Sequence, residues 1–325
     1  MIKTLKWTNA QEIQNALTDA RHNVGSASGL VFTLLVITDL HDYSAVLDAC
    51  VEAGREHPSR LIIVTNGMAK ADRLDAEVHI GEDVPGEIIS LRFQGELANH
   101  RETVVLPLLL ADSPVIAWWP GAAPASLRDD PLGALANRRI TDAMGAQAPL
   151  QALELRAHHM TPGDADLTWT RLTPWRALLV SALDQYPEKV TKIEVTAEPN
   201  NAAGVLLAAW LDDRLPCPVT VSESEVGLGV TSVIMSMEGG DISIRRVDGR
   251  MATYSAPKTP KRIVALRRRS VSQLLTEELR RMDTDEVLQS TMKQLLRRTE
   301  KPERQAVAAV PGDEQIAKAK DSQIE

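Results

Sequence analysis

Short unbroken apolar runs alternate along the chain with longer stretches in which apolar residues recur at helical spacing. Residues 30–37 and 61–64 are unbroken runs, which predicts strands buried on both faces of a sheet. Residues 43–56 between them have helical spacing, and strand, helix and strand in this order predict a parallel pair joined by a crossover helix. Residues 78–80 and 88–93 predict two more strands, at an antiparallel edge of the sheet.

The amino-terminal segment and the middle of the chain carry weaker patterns. Residues 1–14 lack the apolar core of a secretion signal and predict a helix capped by Thr8 and Gln11. Residues 120–163 hold several Gly, Pro and Asp residues, which predicts a loop-rich zone. The Thr-Pro pair at 173–174 favours the start of a new helix, and we expect a domain boundary near it.

The second half repeats the order strand, helix, strand and then adds a meander. Strands are predicted at residues 192–196 and 219–222, around a helix at 203–215. Gly-Gly and Asp-Gly turns predict antiparallel hairpins between three further strands, at residues 230–237, 241–247 and 251–255. After a last strand at 263–266, capping signals predict two helices that start at Ser270 and Asp283.

These elements predict an α/β fold, with an α+β arrangement in the second half. We expect two domains, residues 1–165 and 166–300, each a mixed sheet flanked by helices, with a helical segment at the C-terminal end. A chain of 325 residues that is 44% hydrophobic can bury a sizeable core, and its length favours two domains. Residues 301–325 are polar and aperiodic, which predicts a disordered tail.

Composition and charge argue against several classes of protein. The apolar stretch at 104–121 is interrupted by Pro107, Asp112 and Pro114, so it is too short to span a membrane. We therefore expect a cytoplasmic protein without a membrane partner. The net charge of −8 argues against broad nucleic-acid binding, and two cysteines are too few for a disulfide framework.

The same stretch ends in adjacent tryptophans, Trp118 and Trp119, held between prolines. The pair is conspicuous because the whole chain contains six tryptophans and 3% aromatic residues. Rigid rings beside Pro120 and Gly121 are typical of a recognition surface, since such rings lose little entropy on contact. The alternative is a buried strand with one ring on each side of a sheet. The sequence leaves both interpretations open.

No catalytic signature is present in the sequence. A phosphate loop, a dinucleotide fingerprint and a Gly-x-Ser-x-Gly elbow are all missing. The seven histidines are scattered, without the spacing of metal ligands. We therefore predict no cofactor, no metal and no catalytic residue.

Two charged groups leave other interpretations open. A pair of aspartates followed by two arginines can serve acid–base chemistry or bind a sugar phosphate, and these residues are Asp164, Asp166, Arg171 and Arg176. The simpler interpretation is a turn whose aspartates cap backbone amides and pair with the arginines. Three arginines at 267–269 suggest a nucleic-acid groove, but acidic residues interleave along the following helix and favour a solvated charged face.

Three blocks of sequence carry a family resemblance. They are residues 107–121, which contain Trp-Trp-Pro-Gly, residues 138–142, which read Arg-Arg-Ile-Thr-Asp, and residues 161–179, which begin Thr-Pro-Gly-Asp. Together the blocks resemble the OpcA family of glucose-6-phosphate dehydrogenase assembly proteins. The likeness covers roughly residues 30–296.

The resemblance implies a non-catalytic protein that binds glucose-6-phosphate dehydrogenase and promotes its active oligomer in the oxidative pentose phosphate pathway. The dehydrogenase is then the partner, with neither nucleic acid nor membrane expected. The alternative remains an enzyme or sensor that binds a sugar phosphate through the aspartates and arginines named above. The blocks supply the candidate partner-binding residues, which are Trp118, Trp119, Pro120, Gly121, Arg138, Arg139, Asp142, Thr161, Gly163, Asp164, Asp166, Trp169, Arg171, Trp175 and Arg176.

Overall fold

The computed structural model describes residues 1–24, 29–81, 84–227 and 229–300 of the chain. The tail predicted at 301–325 lies outside the described residues. Two mixed β-sheets with helices packed against them make up this part, which confirms the predicted α/β fold class. None of the helices described is both long and apolar enough to cross a bilayer.

The first sheet has eight strands and comes from the first half of the chain. Its strands are β1 (Ile2–Leu5), β2 (Thr33–Ile37), β3 (Ser59–Asn66), β4 (Arg73–Ile80), β5 (Gly86–Gln94), β6 (Val115–Trp119), β7 (Arg138–Thr141) and β8 (Asp164–Asp166). Across the sheet they lie in the order β1-β4-β5-β3-β2-β6-β7-β8. The six strands from β5 to β8 in this order are parallel, whereas β4 and β1 add antiparallel pairs at one edge.

Helices cover both faces of the first sheet, because its parallel strands are apolar on both sides. The described helices are α1 (Ala10–Val24), α2 (Tyr43–Gly54), α3 (Arg101–Val105), α4 (Pro149–His159), α5 (Leu167–Arg171), α6 (Thr173–Gln185), α7 (Ala202–Arg214), α8 (Val271–Leu279) and α9 (Glu286–Thr299). On one face α1 packs Ile13 and Leu17 into the core. On the other, α2 and α8 contribute Cys50 and Leu275, and burial raises the pKa of the Cys50 thiol.

The second sheet has six strands, in the order β10-β9-β11-β12-β13-β14. They are β9 (Val190–Ala197), β10 (Val219–Glu223), β11 (Val230–Met237), β12 (Gly240–Arg246), β13 (Met251–Ser255) and β14 (Arg262–Ala265). The parallel pair β9 and β10 is connected through α7. β11 to β13 form the predicted antiparallel meander, and β14 extends it by one strand. Ile193, Val233 and Ile244 on its inner face are fully buried, in one core with α7 and α9.

The amino-terminal segment differs from the predicted capped helix. It starts with β1, which pairs with β4, and the helix begins only at Ala10. Asn9 caps this helix, since its side-chain oxygen accepts a hydrogen bond from the backbone NH of Glu12 at 3.0 Å. The predicted Thr8–Gln11 box is therefore wrong. A four-residue edge strand is too short to produce a recognisable pattern beside the stronger helical one.

The zone predicted as loop, residues 120–163, contains both β7 and α4. The prediction failed because β7 begins with Arg138 and Arg139, and adjacent arginines do not resemble a buried strand. They are only 1% and 6% exposed, and their charges are matched inside the protein. In α4, likewise, Arg156 occupies a buried position where a helical pattern would have an apolar residue.

The predicted bounds of the strands and helices in the second half of the chain agree more closely with the structure. β11 and β13 coincide with the predicted strands at 230–237 and 251–255. Ser270 forms the predicted capping box with Gln273 at the start of α8. That helix ends at Leu279, and α9 is capped by Asp285 rather than starting from Asp283.

The two halves of the chain exchange segments between their cores. α8 follows the second sheet in the chain, yet Leu274, Leu275 and Leu279 pack into a core of the first sheet. In the opposite sense α4 precedes the second sheet, yet it contributes Leu153 and Ala157 to the core of that sheet. The domain limits at residues 165 and 166 stay a prediction.

Candidate functional site

The two tryptophans of the Trp-Trp-Pro-Gly motif lie in β6, on opposite faces of the first sheet. Trp118 is 0% exposed in the core on the α2 and α8 side, and Trp119 is 2% exposed in the core beneath α1. This is the buried-strand arrangement, so neither ring can touch another protein directly. Pro120 and Gly121, which follow, are half-buried.

Arg138 at the start of β7 joins the first sheet to α8. Its guanidinium forms a buried ion pair with Glu278 and donates a hydrogen bond to the backbone carbonyl of Asp283 at 2.7 Å. The second carboxylate oxygen of Glu278 accepts a hydrogen bond from the hydroxyl of Thr170 at 2.7 Å. The Glu278 carboxylate on α8 therefore pairs with a residue of β7 and also accepts a hydrogen bond from a residue of α5.

Arg139, the next residue, faces the opposite way and fixes the turn that leads into β8. Its Nε donates to the carboxylate of Asp164 at 2.5 Å, and its two terminal nitrogens donate to backbone carbonyls at 2.9 and 2.6 Å. Asp164 also accepts hydrogen bonds from the backbone NH and the hydroxyl of Thr161, at 2.7 and 3.0 Å. Gly163 adopts a φ of +90° in this turn, and a Cβ there would lie 2.6 Å from a backbone oxygen.

Asp166 caps α5 and ties it to the neighbouring strand. Its carboxylate accepts hydrogen bonds from the backbone NH of Thr168 at 2.8 Å and from the hydroxyl of Thr141 at 2.6 Å. The backbone NH of Ala143 donates to it at 3.0 Å. Both aspartates therefore serve the turn-and-cap role of the simpler interpretation.

Asp142 and Arg171 form an ion pair in which only one of the two carboxylate oxygens has a partner among the described residues. The guanidinium donates to Oδ2 of Asp142 at 2.5 Å, whereas buried Oδ1 has no hydrogen-bond partner among the described residues. Burial raises the pKa of the Asp142 carboxyl to about 6. The charge of Arg171 opposes this rise in pKa, while the nearby carboxylate of Asp166 adds to it.

The last two tryptophans among the candidates are also buried. The Trp169 indole NH donates to the carboxylate of Asp285 at 2.8 Å, and the Arg176 guanidinium lies 3.6 Å from the centroid of the Trp169 ring. Burial lowers the pKa of Arg176 to about 10, with the charge of Asp285 opposing it. Trp175 packs in the core of the second sheet, with the Arg246 guanidinium 5.5 Å from its ring centroid.

Most of the candidate residues thus form one set of internal contacts, which we call the junction network. It joins β7, β8, α5 and the start of α6 to α8 and to the α9 cap, and its polar members are Arg138, Arg139, Asp142, Asp164, Asp166, Thr170, Arg171, Arg176, Glu278 and Asp285. The half-buried candidates, which retain some accessible surface, are Pro120, Gly121, Thr161, Arg171 and Arg176.

The four residues of the sugar-phosphate alternative do not converge on one cavity. Asp166 lines a cavity beside Gly121, whereas Arg171 lines a different cavity beside α7. Asp164 is occupied by Arg139 and Thr161, as described above. Asp166 and Arg171 therefore line separate cavities in the described part of the chain.

Sequence reasoning missed Glu278 and Asp285, two of the carboxylates that complete the junction network. Glu278 lies on the same helical face as Leu274 and Leu275, and a charged residue in an apolar stripe was the available signal. Asp285 could have been identified as the cap of α9 from its position before an amphipathic run. Neither signal indicates which distant residue is the partner.

Comparison with known proteins agrees with the sequence blocks. Residues 50–158 match the family model for the N-terminal domain of the glucose-6-phosphate dehydrogenase subunit. Residues 162–292 match the family model for the C-terminal domain of the same protein. No curated protein matches the chain significantly.

Several solved structures match this chain at low similarity. A mutant of KijD10, a 3-ketoreductase from Actinomadura kijaniata, is 10% identical, with a TM-score of 0.46 over 82% of this chain and 95% of the other. A putative oxidoreductase from Magnetospirillum magnetotacticum is 12% identical, with a TM-score of 0.45 over 82% and 99%. At such similarity these structures carry no information on activity. From the two family models, the chain belongs to the OpcA family of glucose-6-phosphate dehydrogenase subunits.

Proposed function

We propose that this protein is a non-catalytic subunit that binds glucose-6-phosphate dehydrogenase in the cytoplasm and favours its active oligomer. The match of two consecutive family models, over residues 50–158 and 162–292, carries the proposal. A protein that binds the active oligomer more tightly than other states shifts the equilibrium toward it by mass action. Near-complete activation requires a difference in affinity of about 10⁴-fold between the two states.

The junction network supports this role by making the region between the sheets rigid. Its buried ion pairs and caps hold β7, α5 and α8 in one arrangement, so a partner that docks nearby meets a preorganised surface. We propose that the buried tryptophans and arginines act as support. Direct contact then falls to the half-buried candidates, of which Pro120 and Gly121 adjoin the end of β6.

Titration of the purified dehydrogenase with this protein tests the partnership. Enzyme activity and the mass of the complex are measured on the same samples, by an NADPH assay and by light scattering. We expect activity to rise to a plateau as a complex appears, and no turnover by the OpcA-family protein alone. Unchanged activity and mass at an excess of this protein would refute the proposal, as would substrate conversion by the isolated protein.

Gly121→Arg tests whether the end of β6 contacts the dehydrogenase. A Cβ at Gly121 meets no atom within 4 Å and the backbone φ is ordinary, so the fold accommodates a side chain there. Gly249→Arg is the matched control, because Gly249 has the same open surroundings and lies in the turn between β12 and β13. We expect Gly121→Arg to weaken activation by about tenfold, a loss of about 1.4 kcal/mol in binding, with the control unchanged. Equal activation by both variants would exclude this surface and leave the partnership itself standing.

A further inference from the structure

A cavity of about 250 Å³ lies beside the N-terminal end of α7, where β9 leads into that helix. The carboxyl ends of parallel strands are the usual place for ligands in α/β proteins. Five arginines and one glutamate line this arginine cavity, and they are Arg171, Glu198, Arg246, Arg267, Arg268 and Arg269. The wall is therefore strongly cationic in a protein whose net charge is −8.

Two of these arginines are neutralised by carboxylates outside the cavity. Arg171 pairs with Asp142 and Arg269 pairs with Glu277. These two arginines line the cavity, but their charges are already paired and so attract a ligand only weakly.

The other three arginines, Arg246, Arg267 and Arg268, form no ion pair within the described part of the chain, and Arg246 and Arg268 also act on each other through their charges. Among the described residues, Arg246 donates hydrogen bonds only to the backbone carbonyls of Val230 and Leu266, at 3.1 and 3.0 Å. The Arg268 side chain has no hydrogen bond to the described residues, and Glu198 acts on it only through its charge. The carboxylate of Glu198 is itself occupied by the backbone NH of Gly227 and the amide of Asn201.

The guanidinium groups of Arg246 and Arg268 repel each other. Burial and the positive charge of Arg268 together lower the pKa of Arg246 to about 10, while the charge of Asp248 opposes them. An anion between the two groups would remove this repulsion and satisfy their unused NH groups. Such pairs of forked donors match the geometry of phosphate oxygens.

The first turn of α7 adds a favourable field on the same side. Asn201 caps this thirteen-residue helix by accepting a hydrogen bond from the backbone NH of Gly204 at 2.8 Å. Asn201 and Ala203 both line the arginine cavity, so the positive end of the helix dipole adjoins it.

We propose that the arginine cavity binds a small phosphorylated molecule, with its phosphate held between Arg246 and Arg268 at the start of α7. The volume is just below the range of about 300–1,000 Å³ found for drug-sized ligands, which favours a compact phosphate ester over a dinucleotide. The site is separate from the surface at Pro120 and Gly121, and it does not depend on dehydrogenase binding.

Isothermal titration of the full-length protein with inorganic pyrophosphate, at constant ionic strength, tests the site. We expect saturable binding to the wild-type chain. Arg268→Gln is expected to weaken it by about tenfold and Arg268→Glu to weaken it further, because each charge-assisted contact contributes on this scale. Arg268 is exposed, so both variants should keep the far-UV circular dichroism of the wild type. Arg245→Gln and Arg245→Glu are the matched controls, since Arg245 is exposed on β12 and does not line the cavity.

Three results would overturn the proposal. The first is no saturable binding of pyrophosphate to the folded wild-type protein. The second is equal weakening by the substitutions at Arg268 and at Arg245, which would indicate a general effect of net charge. The third is tighter binding of a single-stranded oligonucleotide, lost in Arg268→Glu, which would assign the cavity to a nucleic-acid backbone instead of a small ligand.

Discussion

Breaking the buried ion pair between Arg138 and Glu278 tests whether the junction network holds α8 on the first sheet. Arg138 is 1% exposed and Glu278 is 6% exposed, so water cannot replace a lost partner. In Glu278→Leu, the Arg138 guanidinium keeps only the carbonyl oxygen of Asp283. In Arg138→Met, the Glu278 carboxylate keeps only the hydroxyl of Thr170.

Loss of one partner from a buried pair lowers the free energy of unfolding by about 3–5 kcal/mol, because an uncompensated charge remains. We expect each single variant to lose this amount. The double variant Arg138→Met/Glu278→Leu leaves no isolated charge at the pair. The decrease in its free energy of unfolding should therefore be smaller than the sum of the two single decreases, by at least about 2 kcal/mol.

Urea unfolding followed by circular dichroism measures these differences through the midpoint and the m-value. Arg280→Gln is the matched control, since Arg280 lies at the end of the same helix and its ion pair with Glu56 is more than half exposed. The control should change the free energy of unfolding by no more than about 1 kcal/mol. Single variants that lose less than about 1 kcal/mol, or losses that simply add in the double variant, would refute the reasoning.

Two further predictions concern single positions. The folded-state pKa of Asp142 is raised from 3.8 to about 6, so the folded protein binds this proton more tightly and stability falls as pH rises from about 4 to about 6. Asp142→Asn should remove up to about 3 kcal/mol of this pH dependence, measured as urea unfolding at both pH values; an unchanged slope would show that the group titrates normally. Gly163→Ala should lower the free energy of unfolding by about 1–3 kcal/mol, because the backbone φ is +90° and the added Cβ would clash with a backbone oxygen. Gly121→Ala, with open surroundings, should change thermal stability little, and equal effects of the two alanines would contradict the turn geometry.

The meander of the second sheet could be predicted closely because its signals are local. Buried positions alternate with more accessible ones along most of β11, β12 and β13, and turns that contain glycine separate these strands. The capping box at Ser270 is also local, since donor and acceptor lie three residues apart. In contrast, β1 and β7 depend on what they pair with. β7 has four residues and starts with two arginines, so it is stable only because Glu278 and Asp164 neutralise the charges of those arginines.

The family blocks select candidate residues that the fold brings close together, but the environment of these residues was not predictable from the sequence. Trp118 and Trp119 are buried because β6 is covered on both faces, and one of those covers is α8. The partner of Arg138 lies 140 residues further along the sequence. The arginines at 267–269 stand out in the sequence, but the approach of Arg268 to Arg246 beside α7 does not, because the two residues come from separate segments that only the fold brings together.

The return of α8 to the first sheet has a consequence for synthesis on the ribosome. Leu274, Leu275 and Leu279 cover part of that sheet, and this part stays exposed to solvent until the entire second sheet has been translated. A nascent or truncated polypeptide that stops before residue 271 leaves apolar surface open to self-association. A gene shortened to the first family region should therefore yield an aggregating fragment, and the two regions must be expressed as one polypeptide.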